Sequence, residues 1–246
     1  MQRQKNADIS VVIPVRNEEA YLPACFDALS QQTTEKTIEI IVVDNGSSDA
    51  SQDIARQHAT RIVEEPIAGV GRARRSGSAI AQGTYILHID ADTRLPPAYI
   101  EQALDRFARQ PNLVCLGGQM YWYDASTKLN MLRGILYRML TPLVWLISRG
   151  ALGPMGNNMM FPRALYEQCE GFDANLRFGE DADLTRQLHT YGKVVLDLSL
   201  VCHTSSRRFG LNRDLFVYCV NVFRICFGMK PLQNDLQSLT NAPIDK

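Results

Sequence analysis

The amino-acid sequence predicts an α/β protein with a mainly parallel central sheet flanked by helices. Short apolar segments alternate with helical segments from residue 9 onward, which is typical of parallel strands joined by crossover helices. Several apolar segments are uninterrupted, as expected of strands buried on both faces. One of them, Tyr85–Ile89, ends at two carboxylates, Asp90 and Asp92. Because open α/β sheets bind ligands at the carboxyl ends of their strands, we expect this strand end to lie at the centre of the functional site.

The first third of the chain contains four predicted strands and three predicted helices. The strands cover residues 9–14, 39–43, 61–64 and 85–89, and the helices begin near Asn17, after a capping Ser48 or Asp49, and at Val70. Right-handed crossovers would bring the strand ends at Pro14, Asp44 and Ile89 to one edge of the sheet. The loops 15–18, 44–49 and 90–94 are therefore predicted to converge.

The remainder of the chain is less regular. It contains a predicted helix over 98–109, a strand over 113–119, a strongly apolar helix over 131–147, a glycine-rich loop, a strand over 159–161, a short helix over 164–168, an acidic helix over 180–191, closing strands over 193–198 and 200–203, and an apolar helix over 212–227. The sequence has no repeat, low-complexity tract or clear linker. We therefore expect a single domain over 1–246.

Composition excludes several classes of protein. The formal net charge is +0, so no overall field would attract nucleic acid. Six cysteines occur without a CxxC pair, which favours free thiols in a reducing compartment over a disulfide framework. No apolar stretch precedes Ile9, and no stretch reaches 18 uninterrupted apolar residues. A signal peptide and a membrane span are thus not expected, and a cytoplasmic protein is predicted.

Acidic residues at two strand ends are the first candidates for chemistry. The carboxylates of Asp90 and Asp92 could hold a hard divalent cation and leave coordination sites for phosphate oxygens, or they could simply belong to a solvated loop. Asp44 ends the second predicted strand, where it could accept hydrogen bonds from a ribose or a base. Alternatively, Asp44 could order the turn Asn45–Asp49.

Basic residues and a histidine form two further candidates. Arg72, Arg74 and Arg75 could face a phosphate or line a wet helix surface, and their spacing alone favours the surface. His203 stands close to Arg207, and near a metal and a diphosphate this pair could contribute an imidazole ligand and a guanidinium. A lone histidine is otherwise a structural hydrogen-bonding residue.

The acids Glu180 and Asp181 follow a glycine at the start of a predicted helix. A carboxylate there could project into a cleft and act as a general base, since partial burial raises its proton affinity. The same position also suits an acid that complements the helix dipole. The residues alone leave both interpretations open.

The ordered set of motifs resembles the inverting glycosyltransferases of family 2, which have the GT-A fold. The matching segments span most of the chain between residues 9 and 205, and they are VVIPVRNEE (11–19), IIVVDNGSSD (40–49), GRARRSG (71–77), AQGTYILHIDAD (81–92), GNNMMFPR (156–163), EGFD (170–173) and GEDADL (179–184). This resemblance implies a nucleotide-sugar-binding half over about 1–119 and an acceptor-binding half over about 120–246.

The resemblance also implies roles for individual residues. The nucleotide sugar would be bound by Pro14, Val15, Glu18, Asp44, Arg74, Asp90 and Arg207. The metal, Mg²⁺ or Mn²⁺, would be bound by Asp92, with Asp90 and His203. Asp181 would be the general base, with Glu180 beside it.

The implied reaction is direct displacement of a nucleoside diphosphate, UDP or GDP, from a sugar by an acceptor hydroxyl. The acceptor would be a glycan, a glycolipid or a lipid-linked molecule. Two departures from the family pattern bear on this expectation. Asn45 replaces a frequent second acid, which loosens any inference about the base, and the QxxRW motif of processive synthases is absent, which favours single-sugar transfer.

Two apolar stretches leave the contact with the acceptor open. Residues 131–147 and 212–227 could be core helices, or they could rest on a bilayer and hold the protein peripherally on the inner face of a membrane. The apolar face of the first stretch comprises Leu132, Ile135, Leu136, Met139, Leu140, Leu143 and Ile147, flanked by Arg133, Arg138 and Arg149.

Three alternative functions are considered. A sugar-1-phosphate nucleotidyltransferase would need a glycine-rich basic loop after the first strand, where the chain has VRNEE. A nicotinamide dehydrogenase is disfavoured because the dinucleotide fingerprint is missing there. A non-catalytic protein that binds sugar nucleotides remains an alternative that requires Asp181 to lie away from the site.

Overall fold

A computed structural model describes residues 7–176, 178–207, 220–221, 223–227, 229 and 232. Within them, the strands are β1 (Ile9–Val15), β2 (Ile38–Asp44), β3 (Arg61–Glu64), β4 (Tyr85–Ile89), β5 (Leu113–Trp122), β6 (Asn158–Pro162) and β7 (Lys193–Thr204). The helices are α1 (Leu22–Ser30), α2 (Ser51–His58), α3 (Val70–Ile80), α4 (Tyr99–Arg109), α5 (Thr127–Ile147), α6 (Arg163–Tyr166) and α7 (Glu180–His189).

The strands form one sheet in the order β3-β2-β1-β4-β6-β5-β7. Strands β1 to β4 run parallel, β6 is antiparallel to both of its neighbours, and β7 is parallel to β5. The predicted α/β architecture with a mainly parallel sheet is confirmed. The bounds predicted for β3 and β4 agree with the observed ones, because both are short apolar runs ended by charged residues.

The two closing strands predicted near the end of the chain are one strand, β7. Its pairing with β5 shifts register, so that Gly118 lies opposite Asp197 and the next residue, Gln119, lies opposite Val201. Residues 198–200 therefore bulge out of the ladder. The polar Ser199 in this bulge interrupts the apolar pattern without ending the strand.

The starts of α1 and α2 also differ from prediction. Helix α1 begins at Leu22, because Asn17 has a left-handed backbone (φ 56°). Helix α2 has Ala50 as its N-cap rather than Ser48 or Asp49, although Asp49 Oδ1 accepts the N–H of Ser51, the first helical residue, at 3.0 Å. The Glu19 carboxylate accepts the Ala50 N–H at 2.9 Å, and Ser51 Oγ accepts the Glu18 N–H at 2.7 Å. These bonds hold the loops after β1 and β2 together.

Helix α3 packs directly on the sheet although its sequence is polar. Gly77 makes this approach feasible, because a Cβ there would lie 2.8 Å from Val43 Cγ2 and closer still to Val12. Its buried positions are Gly71, Ala73, Arg74, Gly77 and Ser78. An arginine is therefore carried into the interior by a helix that has small residues on its packed face.

Helix α5 is the opposite case. It begins after Ser126, whose Oγ accepts the Leu129 N–H, and none of its 21 residues is buried. On the predicted apolar face only Ile147 is half-buried, and the other members are exposed. The core interpretation of 131–147 is therefore wrong. The helix predicted over 212–227 lies largely outside the described residues, and no described helix is long and apolar enough to cross a membrane.

Candidate active site

The ends of three parallel strands meet at one edge of the sheet, as the topology predicts. Val15 lies opposite Asp44 in the pairing of β1 with β2, and the Asn45 N–H donates to the Val15 carbonyl at 2.8 Å. Strand β4 pairs with the other side of β1 and delivers Asp90 and Asp92 to the same edge. The expected convergence of loops 15–18, 44–49 and 90–94 is confirmed.

Asp92 and Glu18 share one guanidinium. The side chain of Asp92 is buried, with Oδ2 accepting from Arg207 Nε at 3.0 Å and Oδ1 accepting from the Thr204 hydroxyl at 3.0 Å. Arg207 Nη2 contacts both Glu18 oxygens at 2.6 Å, and the guanidinium lies over the Tyr21 ring at 4.1 Å. Burial lowers the pKa of Arg207, but Glu18 and Asp92 outweigh it and the net shift is upward. Arg207 therefore remains a cation.

Arg74 joins a second pair of acids. Its side chain is buried, with Nη2 donating to Asp90 Oδ1 at 2.9 Å and Nη1 donating to Glu180 Oε1. A Cβ on Gly156 would overlap the same guanidinium, so only glycine lets the 150–157 loop pass there. Arg74 thus ties the end of β4 to the start of α7, although its two partners lie 16 and 106 residues away along the chain.

The neighbouring acids Glu180 and Asp181 have different surroundings. Glu180 is buried against Arg74, and burial raises the pKa of its carboxyl to about 7 although the Arg74 charge opposes the shift. Asp181 is half-buried, with Oδ2 accepting the Gly156 N–H at 3.0 Å and Oδ1 accepting the Ala182 N–H at 2.7 Å. Glu180 therefore points inward as a counter-ion, whereas Asp181 is oriented by main-chain donors near solvent.

Asp44 and Asn45, which lie next to each other at the end of β2, make different contacts. Asp44 is buried and accepts only long bonds from the Ser47 N–H, at 3.3 and 3.4 Å. Asn45 instead binds the following loop, donating to the carbonyls of Glu65 and Ile67 and accepting the Gly69 N–H at 2.8 Å. The departure from the family pattern at Asn45 is thus a structural residue that shapes the entry to α3.

His203 is not brought to the acids. Alternation along β7 puts Thr204 on the side of Asp92 and His203 on the other side, where it is exposed in a groove with Arg94 and Tyr123. Burial and the Arg94 charge lower the pKa of His203. The imidazole therefore lies apart from the predicted metal ligands in this structure.

The carboxylates suit a cation that is shared with a ligand. Among the described residues, no group of three or more His, Cys, Asp and Glu side chains could hold a metal by itself. Mg²⁺ and Mn²⁺ commonly take one or two carboxylates and complete their coordination with phosphate oxygens and water. Asp92 and Asp90 offer hard oxygen ligands of this kind at a strand end, so the residues fit the group.

Three residues of the site were not singled out from the sequence. Tyr21 carries the Arg207 guanidinium, Thr204 bonds Asp92, and Gly156 contacts both Asp181 and Arg74. Thr204 follows His203 on a strand, so alternation could have identified it. Gly156 lay in a glycine-rich loop whose partner was unknown, and nothing in the sequence distinguished Tyr21.

The family model and the relatives that match this chain are all described as glycosyltransferases. The model described as Glycosyl transferase family 2 matches residues 10–169. Two Bacillus subtilis (strain 168) proteins named as glycosyltransferases are similar: EpsH, 36% identical over 111 residues, and EpsJ, 28% identical over 195 residues. The matches cover 43% and 71% of this chain. The chain spans only 32% of EpsH and 54% of EpsJ.

Solved structures share the fold at low sequence identity. The mannosyltransferase PcManGT from Pyrobaculum calidifontis, in complex with GDP-Man and Mn²⁺, aligns with a TM-score of 0.71 at 18% identity, over 92% of this chain and 64% of that one. Glucosyl-3-phosphoglycerate synthase from Mycobacterium tuberculosis, in complex with Mn²⁺, UDP and its product, aligns with a TM-score of 0.61 at 19% identity, over 91% and 81%.

Proposed function

The chain belongs to glycosyl transferase family 2 and has the predicted GT-A fold; from this premise we propose that it is an inverting glycosyltransferase that moves one sugar from a nucleoside-diphosphate sugar to an acceptor hydroxyl. One observation carries the proposal. Four acids from three distant segments, Glu18, Asp90 with Asp92, and Glu180, are gathered at the carboxyl edge of the sheet by two arginines. Family membership also disfavours the nucleotidyltransferase and dehydrogenase alternatives.

The donor would bind along the ends of β1 and β2. Pro14, Val15, Glu18 and Asp44 lie in or beside these strand ends, where the nucleoside would contact them. Asp44 is suited to a ribose or base because its bonds to the Ser47 N–H are long and leave its oxygens available. PcManGT binds GDP-Man and the mycobacterial synthase binds UDP, so the proposed donors are UDP- or GDP-sugars.

Asp92 and Asp90 would hold Mg²⁺ or Mn²⁺ together with the diphosphate. The cation would supply positive charge for the departing nucleoside diphosphate. Arg207 would then exchange its contact with Asp92 for the phosphate oxygens, since guanidinium binds both classes of oxyanion. His203 is left out of this set because Thr204 occupies the side of β7 that faces Asp92.

Asp181 would remove the proton from the acceptor hydroxyl. The Gly156 and Ala182 N–H groups fix the orientation of its carboxylate, and its half-buried position leaves room for an acceptor. As the proton moves to Asp181, the acceptor oxygen attacks the anomeric carbon on the face opposite the diphosphate, and the configuration inverts. Glu180 would not take part directly, because it is turned toward Arg74 and keeps that arginine in place.

The proposed location is the cytoplasm, with peripheral contact to the inner face of a membrane through 131–147 and 212–227. Cys25, Cys115 and Cys202 are buried free thiols, which suits a reducing compartment. Transfer of single sugars onto a glycan or lipid-linked acceptor of the cell envelope is consistent with the missing QxxRW motif.

The decisive experiment compares two aspartates in the first turn of α7. Asp181→Asn is expected to lower sugar transfer by roughly 10²- to 10⁴-fold, the usual contribution of a general base, with little change in nucleotide affinity. Asp183→Asn is the matched control, because Asp183 bonds Gln187 in the same helix. Undiminished transfer by Asp181→Asn would remove Asp181 from the role of base.

Calorimetric titration with UDP, GDP and their sugars tests the donor and the metal. Wild type is expected to bind at least one of these ligands more tightly with Mn²⁺ present, and Asp92→Asn should lose that gain while keeping the metal-free affinity. If wild type bound none of them, the function itself would be rejected. Binding without any turnover would instead favour a non-catalytic sugar-nucleotide-binding protein.

A further inference from the structure

Helix α5 packs on the protein with a largely polar side and exposes its apolar side, the reverse of a core helix. A narrow stripe of half-buried residues faces β5, and it is largely polar. Asn130 exchanges two hydrogen bonds with the Trp122 backbone, and Arg133 donates to the Met120 carbonyl at 2.7 Å while lying 4.3 Å from the Trp122 ring. The helix is therefore attached to the protein by its polar side.

The outward side of α5 is apolar and basic. Its exposed large side chains are Leu129, Met131, Leu132, Ile135, Leu136, Met139, Leu140, Leu143, Trp145 and Leu146. Met139 is 70% exposed and Leu146 is 67% exposed. Lys128, Arg138 and Arg149 are also exposed, and residues 125–150 include no aspartate or glutamate. Contiguous exposed apolar surface of this extent marks an interaction site.

The positive charge on this surface indicates which kind of partner binds it. Two copies paired face to face through α5 would bring like charges together, with no acid on the helix to compensate. A bilayer that contains anionic lipid offers acyl chains to the leucines and phosphates to the basic residues. An interfacial helix of 21 residues would lie about 30 Å along such a surface.

Both ends of α5 lead to the site described above. Just before the helix, the Asp124 carboxylate accepts from Ser205 and from the Ser206 N–H, directly preceding Arg207. After the helix, the chain reaches Gly156, whose N–H bonds Asp181. The segments on both sides of α5 therefore contact Asp181 or residues next to Arg207.

We propose that the outward face of α5 docks in the surface of an anionic bilayer and that the acceptor hydroxyl belongs to the head group of a lipid in that bilayer. The second part rests on the proposed function, whereas docking does not. A lipid head group could then reach Asp181 while its acyl chains stay beside α5. The acceptor would gain affinity from the membrane, so the pocket itself would need few contacts with it.

Tryptophan fluorescence tests docking directly, because the chain has two tryptophans and only Trp145 lies on the outward face. The full chain is mixed with phosphatidylcholine vesicles whose acyl chains are brominated. The vesicles are prepared with or without roughly 30 to 50 mol% phosphatidylglycerol, an anionic content that recruits basic segments. We expect quenching on the anionic vesicles for wild type and Trp122→Phe, and its loss in Trp145→Phe. Unquenched Trp145 would overturn the proposal.

Sedimentation with unbrominated vesicles adds matched variants. Leu136→Gln/Met139→Gln/Leu143→Gln and Arg138→Glu are each expected to weaken partitioning roughly tenfold or more. Arg109→Glu is the charge control, because its side chain is 73% exposed on α4, and it should partition as wild type does. Equal partitioning of all variants would overturn the role of α5. A dimer that the triple variant dissociates would identify a second copy as the occupant.

Labelled UDP- and GDP-sugars then locate the acceptor. With vesicles of a bacterial polar lipid extract, label is expected in the organic phase, whereas methyl glycosides in water should receive at least tenfold less. Label transferred only to the water-soluble glycosides would overturn the lipid acceptor. Docking without any donor turnover would instead reject the proposed function, so the two failures are distinguishable.

Discussion

Helices α3 and α5 reverse the usual relation between composition and burial. Helix α3 carries three arginines and two serines, yet five of its residues are buried against the sheet. Helix α5 carries leucines, methionines and a tryptophan, yet none of its residues is buried. The packed face of α3 is made of small residues, and its one buried charge meets two carboxylates.

The difference shows that hydrophobicity alone does not decide which helix joins the core. A charged side chain can be buried when small neighbouring residues leave room for it and opposite charges pair with it. Such a buried ion pair positions the residues that form it. An apolar helix remains exposed when the side that packs on the protein is polar. Exposed apolar surface of this kind marks an interaction site. Four measurements test this difference between α3 and α5.

The largest expected effect is on the buried guanidinium. Arg74→Met keeps much of the side-chain volume but leaves Asp90 and Glu180 without their counter-charge, so the free energy of unfolding should fall by about 3–5 kcal/mol. Urea denaturation measures this. Arg75→Met is the control, because Arg75 lies on the exposed side of α3, and it should cost under about 1 kcal/mol. Equal losses would mean that Arg74 has no special place.

The acid that faces Arg74 should give stability a pH dependence. Burial raises the folded-state pKa of Glu180 from 4.5 to about 7, so between these values the folded chain binds more protons than the unfolded chain. The contribution of Glu180 to the free energy of unfolding is therefore full below pH 4.5, decreases by about 3 kcal/mol as the pH rises to about 7, and stays constant above that pH. Urea midpoints at pH 5 to 8 should show this slope in wild type and not in Glu180→Gln. Parallel slopes would contradict it.

The two helices also hold glycines of opposite kinds. Gly77→Ala forces a methyl group against Val12 and Val43, and the overpacking should cost about 1–2 kcal/mol despite the helix preference of alanine. Gly134→Ala in α5 would place a methyl group 3.3 Å from the end of the Gln119 side chain and 3.8 Å from the Tyr121 hydroxyl. This second change should be neutral or stabilise by up to about 1 kcal/mol, because both neighbours are the ends of side chains at 3.3 Å or more. Thermal melts of the two variants give the comparison.

The smallest effect is expected on the exposed face of α5. Leu136→Gln should change the free energy of unfolding by less than about 0.5 kcal/mol, because Leu136 is 48% exposed. Leu87→Ala in the core of β4 should cost about 2–5 kcal/mol in the same assay. A comparable loss at Leu136 would show that other parts of the chain cover the helix.

The fold of the first half could be predicted because its signals are local. Short apolar segments indicated β1 to β4, and the handedness of crossovers predicted that the ends of β1, β2 and β4 meet at one edge. The helical period of 131–147 was equally clear in the sequence. Periodicity shows that a helix has an apolar face but not what that face contacts, so it did not predict which side of α5 faces the protein. The polar inner stripe, seen in Asn130 and Arg133, was the overlooked signal.

The site was predictable by residue type but not by pairing. The resemblance singled out Asp92 after β4, Asp181 at the start of α7 and Arg74 within α3. The ion pairs that Arg74 and Arg207 make could not be predicted, because Arg74 and Glu180 are 106 residues apart and Arg207 and Glu18 are 189 apart. His203 was assigned to the metal through the resemblance, but Thr204, one residue further along β7, is the residue that bonds Asp92.

The contact of Arg207 with Glu18 and Asp92 places one positive charge between two carboxylates. A lone divalent ion arriving at Asp92 must displace a group that already carries positive charge, and a lone nucleotide must approach neighbouring carboxylates. A ligand that delivers an ion and phosphates together meets neither obstacle, since the ion replaces the guanidinium and the phosphates receive it. In the proposed function, this arrangement would favour a donor that arrives together with its metal ion over either component alone.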